Sequence, residues 1–205
     1  MRNATRLLGL AALVAGSLSC GDVVRDSRSP VFLSLDSITA ASGASTTFGS
    51  LLHSDVQVLV RTPAPCTDVN PCPTLFADLG LALFRIVPKD VTPGVAVPTT
   101  NNEVRITRYH VAYRRADGRN VPGVDVPVAF DGVVTGTVGI GGGSIGFELV
   151  RHIAKEESPL VQLINSSTII TTFADVTFYG TDRVGNAVSA TGSIQIDFGN
   201  FGDSA

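Results

Sequence analysis

The side chains with the clearest binding chemistry are arginines that cluster along one segment of alternating polarity. Arg105, Arg108, Arg114 and Arg115 fall within the sequence NNEVRITRYHVAYRR, and Arg119 follows in the next turn. Guanidinium groups bind carboxylates and phosphates through paired N–H donors, so a groove for an anionic ligand is one interpretation. The other is a charged strand face that prevents edge-to-edge pairing of sheets. We take the first four arginines as candidate ligand-binding residues.

Residue patterns for catalysis are weak. His53, His110 and His152 are far apart in the sequence, and no H-E-x-x-H pattern accompanies them. Glu156 and Glu157 are adjacent, which is more typical of a solvated charged loop than of an acid–base pair. We therefore predict a protein that is not an enzyme and carries no cofactor and no metal. A hydrolase with a pocket lined by His152, Glu156 or Glu157 is the alternative.

Glycines between positions 141 and 146 spell G-x-G-x-x-G, the pattern of a dinucleotide-binding loop. Such a loop follows a strand and opens a helix whose N-terminus binds pyrophosphate. Here strands are predicted on both sides and no βαβ unit is present. The segment is therefore predicted to be a flexible hairpin loop.

Aspartates near predicted turns raise the question of calcium. None follows the spaced D-x-D-x-D-G loop, and aspartate is also a common turn former. Whether calcium binds at these turns stays open. The residues concerned are Asp117, Asp125, Asp131, Asp175 and Asp182.

The three cysteines have different surroundings. Cys66 and Cys72 lie in the proline-rich sequence PAPCTDVNPCP, where the spacing does not fit a C-x2-C metal site. We predict a surface-loop disulfide between them, which would stabilise the protein by about 2.4 kcal/mol through loop closure. Cys20 is then the odd cysteine.

The sequence before Cys20 has the three parts of an export signal. Arg2 and Arg6 give a positive start, and Leu7–Leu18 is free of charge. As a helix this run spans roughly 18 Å, too short for the ~30 Å hydrocarbon core of a bilayer. The sequence Ser-Leu-Ser-Cys at its end resembles the lipobox of bacterial lipoproteins, and the resemblance implies a diacylglyceryl group on Cys20. The alternative is an ordinary signal peptide cut near Ser19.

Charge restricts the class of partner. The chain has 15 basic and 18 acidic residues. Without residues 1–19 the balance becomes 13 against 18, because Arg2 and Arg6 are lost. A net charge of −5 disfavours nucleic acid, which requires a basic surface. We predict a protein anchored in the membrane through lipid on Cys20, on the periplasmic or extracellular side of the cell envelope, with an envelope protein or polysaccharide as partner.

The remaining sequence must position these residues, and its hydrophobic pattern is that of strands. Apolar residues alternate in many short segments separated by glycine and proline turns, as in an all-β sandwich. Residues 79–86 place apolar side chains on both faces of a strand, which predicts a central strand covered on both sides. A shift of phase at Thr107-Arg108 predicts a β-bulge. Strands are also predicted over 124–130 and 147–153, with a turn at Asp131-Gly132.

A helix is predicted in only one place. The sequence KEESPLVQLI, residues 155–164, fits a short helix capped by Ser158 with Pro159 in its first turn.

Two segments carry a family resemblance. The hairpin ADVTFYGTDRVGNAVSATGSIQIDF, with Asp182, Gly185 and Asn186 in its turn, resembles the last strands of bacterial immunoglobulin-like and fibronectin type III-like domains, and RITRYHVAYRRADG resembles their central strand. Further segments, RRADGRNVPGVDVP and GFELVRHIAKEESPL, resemble a group of exported bacterial lipoproteins with no assigned activity. The resemblance implies an immunoglobulin-like antiparallel β-sandwich and no functional residues.

The resulting organisation has four parts. We expect a signal peptide over 1–19, a lipidated N-terminus and tether over 20–30, a single immunoglobulin-like domain over 31–201, and a tail over 202–205.

Overall fold

Side chains alternate between buried and exposed along most of the chain, as expected for strands with one face on a core. The computed structural model describes residues 28–43, 45–90 and 98–201. The predicted signal peptide, Cys20, the first part of the tether and the tail lie outside these residues. In chain order the elements are β1 (Val31–Ala41), β2 (Leu51–Asp55), β3 (Val58–Val60), β4 (Cys72–Thr74), β5 (Asp78–Pro88), a 3-10 helix (Thr100–Asn102), β6 (Val104–Arg115), β7 (Phe130–Val138), β8 (Gly143–Val150), α1 (His152–Glu156), a second 3-10 helix (Leu160–Leu163), β9 (Ile170–Asp182) and β10 (Ala187–Gly199).

Two sheets contain most of the strands. One has three strands in the order β1-β5-β8, and the other has five in the order β2-β10-β9-β6-β7, while β3 and β4 pair separately. The all-β prediction is confirmed. The expectation of purely antiparallel pairing is wrong at β2, which runs parallel to β10. The chain crosses from β1 in the three-stranded sheet to β2 in the five-stranded sheet. The strand β2 is therefore not the second strand of a tight hairpin, which would have to be antiparallel to its partner.

The buried faces of the two large sheets contact each other through aromatic rings. The ring centroid of Phe178 on β9 lies 5.0 Å from that of Phe84 on β5 and 5.1 Å from that of Phe147 on β8. Tyr109 on β6 contacts Phe147 at 5.3 Å. Each large apolar side chain buried here contributes about 1.5–3 kcal/mol. The aromatic cluster therefore joins the two sheets, and the specific immunoglobulin-like sandwich stays a prediction.

The predicted β-bulge in β6 is confirmed. The register of β6 against both β7 and β9 shifts between Ile106 and Arg108. Against β9, Thr107 is the extra residue, so Ile106 before it and Tyr109 after it both face the core. The bulge therefore keeps the apolar residues on the same face of β6, although Ile106 and Tyr109 are three residues apart instead of two.

Strand β5 is central in its sheet, as predicted, but only one of its faces is covered in the described part. Ala82, Phe84 and Ile86 are buried, whereas Leu79 and Leu83 are 53% and 44% exposed. The prediction that both faces are covered is therefore wrong for these residues. Apolar residues along one face of a strand show that this face could be buried. They do not show which other segment, if any, packs against it.

The valine-rich segment before β7 is a loop rather than the predicted strand. Val126 is buried, but Val124 and Val128 are exposed. Prolines on both sides of Val126 remove backbone donors that a strand would need. Strand β7 starts at Phe130, so Asp131-Gly132 lies within a strand and the predicted turn there is wrong.

The glycine-rich segment contains a tight hairpin-like turn, in which Gly139 and Gly142 pair with each other, but the strands on either side belong to different sheets. A turn at residues 139–142 leads from β7 in the five-stranded sheet to β8 in the three-stranded sheet. Gly142 has φ +84° there, a conformation that glycine adopts without strain. Residues 143–146 already belong to β8, so the G-x-G-x-x-G pattern lies in a turn and a strand.

The helical region is displaced from its predicted position. Strand β8 ends at Val150 and α1 covers His152–Glu156, so the strand predicted up to residue 153 is too long. The second 3-10 helix follows Pro159, and Ser158 does not cap it. The position of α1 depends on the burial of Lys155, a tertiary contact that local sequence does not encode.

The turn between β9 and β10 is built around one carboxylate. Asp182 accepts hydrogen bonds from the backbone N–H groups of Val184 and Asn186, at 3.1 and 2.8 Å, and from the Asn186 side-chain amide at 2.8 Å. Burial raises the pKa of Asp182, but these bonds, together with one from Ser29, outweigh burial and hold it below its ordinary value. Gly185 has φ +89°, which completes the turn. The hairpin on which the resemblance rests is therefore present.

The two cysteines within the described residues are paired. Cys66 and Cys72 form a disulfide, and Cys72 also begins β4, where it pairs with Val60 of β3. The bridge closes the exposed loop that joins these two short strands, as the sequence predicts.

Candidate functional site

Three of the four candidate arginines lie on the outer face of the five-stranded sheet. Arg105 is exposed, and the side chains of Arg108 and Arg114 are 56% and 49% exposed. They point away from the core because Ile106, Tyr109 and the following odd-numbered residues of β6 face inward. With the outward residues of β9 and β10 they form a surface that we call the arginine face: Arg105, Arg108, His110, Arg114, Phe173, Asp175, Thr177, Tyr179, Ser189, Thr191 and Ser193.

The bulge in β6 lies beside a shallow groove at one end of the arginine face. The groove has a volume of about 370 Å³, and Thr107, Arg108, Tyr179 and Ser189 are among the residues that line it. The Arg108 guanidinium lies 3.8 Å from the centroid of the Tyr179 ring, a cation–π contact worth about 0.5–1 kcal/mol at an exposed site. Its closest carboxylate is that of Asp131, at 3.9 Å. The ring therefore holds a guanidinium whose hydrogen-bond donors are available to a ligand.

A second arginine–aromatic pair lies farther along the same strands. The Arg114 guanidinium is 4.6 Å from the Phe173 ring centroid, and its Nε donates a hydrogen bond of 2.8 Å to Asp175. Ser193 donates to the same carboxylate. Arg114 is therefore neutralised by a close partner, unlike Arg108, and contributes less to anion binding.

Between the two pairs the arginine face presents a histidine and hydroxyl groups. His110 Nδ1 lies 3.2 Å from an Asp131 carboxylate oxygen. The hydroxyls of Thr177 and Thr191 share a hydrogen bond of 2.9 Å across β9 and β10. His110 thus has a side-chain partner, and it faces solvent rather than the core. These groups form a polar, hydrogen-bonding surface.

Arg115 is separated from the other three arginines. Its side chain points to the same side of β6 as the buried residues Tyr109, Val111 and Tyr113. The side chain is only 16% exposed and forms an ion pair of 2.8 Å with Asp117. Its Nε is buried without a hydrogen-bond partner. Adjacent residues of a strand point to opposite faces, so the structure does not bring Arg115 together with Arg114 on the arginine face. Arg115 fixes the turn after β6 instead.

Sequence reasoning missed a buried charged pair. Lys155 on α1 and Asp78 at the start of β5 are fully buried, with Nζ 2.9 Å from a carboxylate oxygen. Lys155 also donates to the backbone carbonyl of Asp55, and Asp78 accepts from Ser54 Oγ and the Gly43 N–H. Burial raises the pKa of Asp78, while the Lys155 ammonium and the Ser54 and Gly43 donors oppose this. The signal that identifies this pair is that Lys155 is buried. Burial of a single lysine cannot be recognised from the sequence.

The other residues considered for catalysis do not come together in one site within the described part of the chain. His152, Glu156 and Glu157 are exposed on and just after α1, and none lines the groove at Arg108. Residues 142–146 also spell G-x-S-x-G, a nucleophile pattern, yet Ser144 lies within β8 rather than at a strand-to-helix turn. Within residues 28–43, 45–90 and 98–201, no group of three or more His, Cys, Asp or Glu residues could hold a metal ion. In the same residues no helix is long and apolar enough to cross a membrane.

The fold and the site together define an all-β protein with a polar, arginine-bearing sheet face. No family model, no curated protein and no solved structure matches this chain.

Proposed function

We propose that this protein is a lipid-anchored, non-catalytic binding module of the cell envelope, and that the arginine face is its binding surface. The charge-free run before Cys20 and its resemblance to a lipobox support export and lipidation. The polar character of the arginine face supports binding rather than core packing. The observation that carries the proposal is the Arg108 guanidinium, which lies over the Tyr179 ring at 3.8 Å beside a groove of about 370 Å³.

The partner that suits this surface is an acidic envelope component. A guanidinium that is already immobilised on an aromatic ring loses little conformational entropy when it binds a carboxylate or phosphate. Arg105 makes no ion pair within the described part of the chain, so it adds a second available cation. An envelope protein with an acidic patch satisfies both arginines.

An acidic polysaccharide is the second candidate, because the hydroxyls of Thr177 and Thr191 lie on the same face, two residues along the strands from Tyr179 and Ser189, and can hydrogen-bond to sugars. The Tyr179 ring is covered by Arg108, so it is not available for stacking on a neutral sugar. The arginine face therefore favours anionic over neutral polysaccharides.

Two measurements test the proposal. A pull-down from detergent-solubilised envelopes is expected to recover a partner with the native protein and not with the Arg105→Ala, Arg108→Ala double variant. Binding to a panel of acidic and neutral polysaccharides distinguishes the two candidates. Losing two charge-assisted contacts is expected to weaken binding by about 100-fold to 10,000-fold, since each is worth about 1.5–3 kcal/mol.

The matched control is Arg119→Ala, which also removes an exposed arginine but lies in the turn after β6 and pairs with Asp117. This variant is expected to retain binding. Equal binding by the double variant and the native protein, or no partner and no polysaccharide bound at all, would contradict the proposed binding surface. Mass spectrometry of the mature N-terminus tests the anchor separately, and an unmodified Cys20 would contradict it.

A further inference from the structure

A second surface of the protein is exposed and apolar. On the outer face of the three-stranded sheet, Phe32, Leu79, Leu83 and Val87 are 58%, 53%, 44% and 37% exposed. Phe32 of β1 is paired with Val87 of β5, and Leu79 and Leu83 follow on the same face of β5. We call these four residues the apolar face. Arg85, paired with Asp36, lies between Leu83 and Val87 on this face, so the apolar side chains form two groups, Phe32 with Val87 and Leu79 with Leu83. Clusters of exposed apolar side chains mark sites that contact another molecule or a membrane.

The point at which the N-terminal segment enters the fold lies beside the apolar face. The Lys89 N–H donates to the Pro30 carbonyl at 2.9 Å, and Ser29 is buried and accepts a hydrogen bond from the Val31 N–H. Residues 29 and 30 are thus fixed next to Phe32 and Val87. Cys20 precedes Ser29 by nine residues, which reach roughly 30 Å when fully extended. Lipid on Cys20 therefore keeps the apolar face within that distance of a bilayer.

The rim of the apolar face is suited to lipid headgroups. The Lys89 ammonium lies 4.8 Å from the centroid of the Phe32 ring, which combines an apolar ring with a cation at one position. Arg28 is exposed at the same end, and Arg85, which is 65% exposed beside its partner Asp36, lies between Val87 and Leu83 within the face. Aromatic rings and long cationic side chains are the residues that settle at the boundary between headgroups and acyl chains.

We propose that the apolar face rests on the bilayer surface to which the protein is anchored. The inference depends on the proposed lipidation of Cys20. The two acyl chains of a diacylglyceryl group would supply the attachment itself. Because the tether raises the effective concentration of the apolar face at the membrane, a modest patch suffices to set how the domain lies on the bilayer. The arginine face, on the other sheet, then remains free for a partner.

The absence of tryptophan from the chain allows a direct test. Phe32→Trp and Leu83→Trp each introduce a single indole on the apolar face. Val133→Trp is the matched control, because Val133 is 88% exposed on β7 of the other sheet. Each full-length variant, lipidated in a bacterial host, is reconstituted into vesicles of phosphatidylethanolamine and phosphatidylglycerol with or without brominated acyl chains.

Fluorescence at positions 32 and 83 is expected to shift to the blue and to be quenched by bromine, at a depth of about 5–10 Å, while position 133 is unaffected. Leu83→Asp combined with Phe32→Trp is expected to abolish the quenching. Equal responses at positions 32 and 133 in protein with lipidated Cys20 would overturn the proposal and leave the anchor intact. A blue shift without bromine quenching, together with a doubled mass in light scattering, would assign the apolar face to a second copy and also overturn it. An unmodified Cys20 in the mass spectrum would overturn the anchor and this inference with it.

Discussion

At the scale of single residues, Asp78 and Lys155 show how a charged pair can hold distant segments together. The two residues are 77 positions apart, yet their charged groups meet in the core and also contact Ser54 and the backbone of Asp55. A buried pair gains little over an apolar pair of the same shape, but removing one member leaves an uncompensated buried charge. The network therefore fixes α1 against β2 and β5.

Replacing Lys155 by Met is expected to lower the free energy of unfolding by about 3–5 kcal/mol, because the Asp78 carboxylate loses its counter-charge in the core. Urea denaturation followed by circular dichroism measures the change. Arg183→Met is the control, since it removes an ion pair to Glu103 whose arginine is 57% exposed, and exposed pairs are worth at most about 1 kcal/mol. Equal losses in the two variants would show that Asp78 and Lys155 are not a buried charged pair.

At the scale of elements, the bulged strand β6 determines the binding surface. The bulge changes the phase of β6, which places Arg105 and Arg108 on the same outer face although they are three residues apart. Opposite them, β9 approaches closely at Gly180, where a Cβ atom would collide with the backbone carbonyl of Arg105. The groove beside Arg108 therefore depends on glycine at this position.

Gly180→Ala is expected to destabilise the protein by about 1–3 kcal/mol, because the methyl group must displace the β6 backbone. Hydrogen exchange should show reduced protection of the amides near the bulge. Gly146→Ala is the matched control in β8, where an added Cβ meets no atom within 4 Å, and its effect is expected to stay within about 0.5 kcal/mol. Unchanged stability and protection in Gly180→Ala would contradict the close approach of β9 and β6.

At the scale of the whole molecule, one aromatic cluster joins the two large sheets, and each sheet leaves its other face to solvent. Phe178 is completely buried and contacts rings on β5, β6 and β8. One outer face is polar and carries Arg105, Arg108 and Arg114, whereas the other carries the exposed apolar side chains together with the Arg85–Asp36 ion pair. This asymmetry allows two different contacts at once, with a partner on one side and a membrane on the other.

Phe178→Ala is expected to lower the free energy of unfolding by about 3–5 kcal/mol, since it leaves a cavity between the sheets. The same substitution at Phe32, which is 58% exposed, should change stability in solution by less than about 0.5 kcal/mol. Urea denaturation of the two variants tests this pair of expectations. A large loss at Phe32 would mean that the apolar face is part of the folded core.

The sequence alone was sufficient for the properties that depend on neighbouring residues. Period-two alternation indicates strands, the change of phase at Thr107 indicates the bulge, and the spacing of Cys66 and Cys72 indicates a local disulfide. It also placed Arg105, Arg108 and Arg114 on one segment. Each of these features is encoded within a few residues, so local pattern and turn chemistry determine it.

Only the tertiary structure decided what each strand packs against. Alternation did not reveal that β2 runs parallel to β10, that the outer face of β5 is uncovered, or that Arg115 points inward. It also gave no indication of the contact between Lys155 and Asp78. These properties depend on which distant segments meet, and the free energy of packing and desolvation that selects those contacts is not contained in any local stretch of sequence.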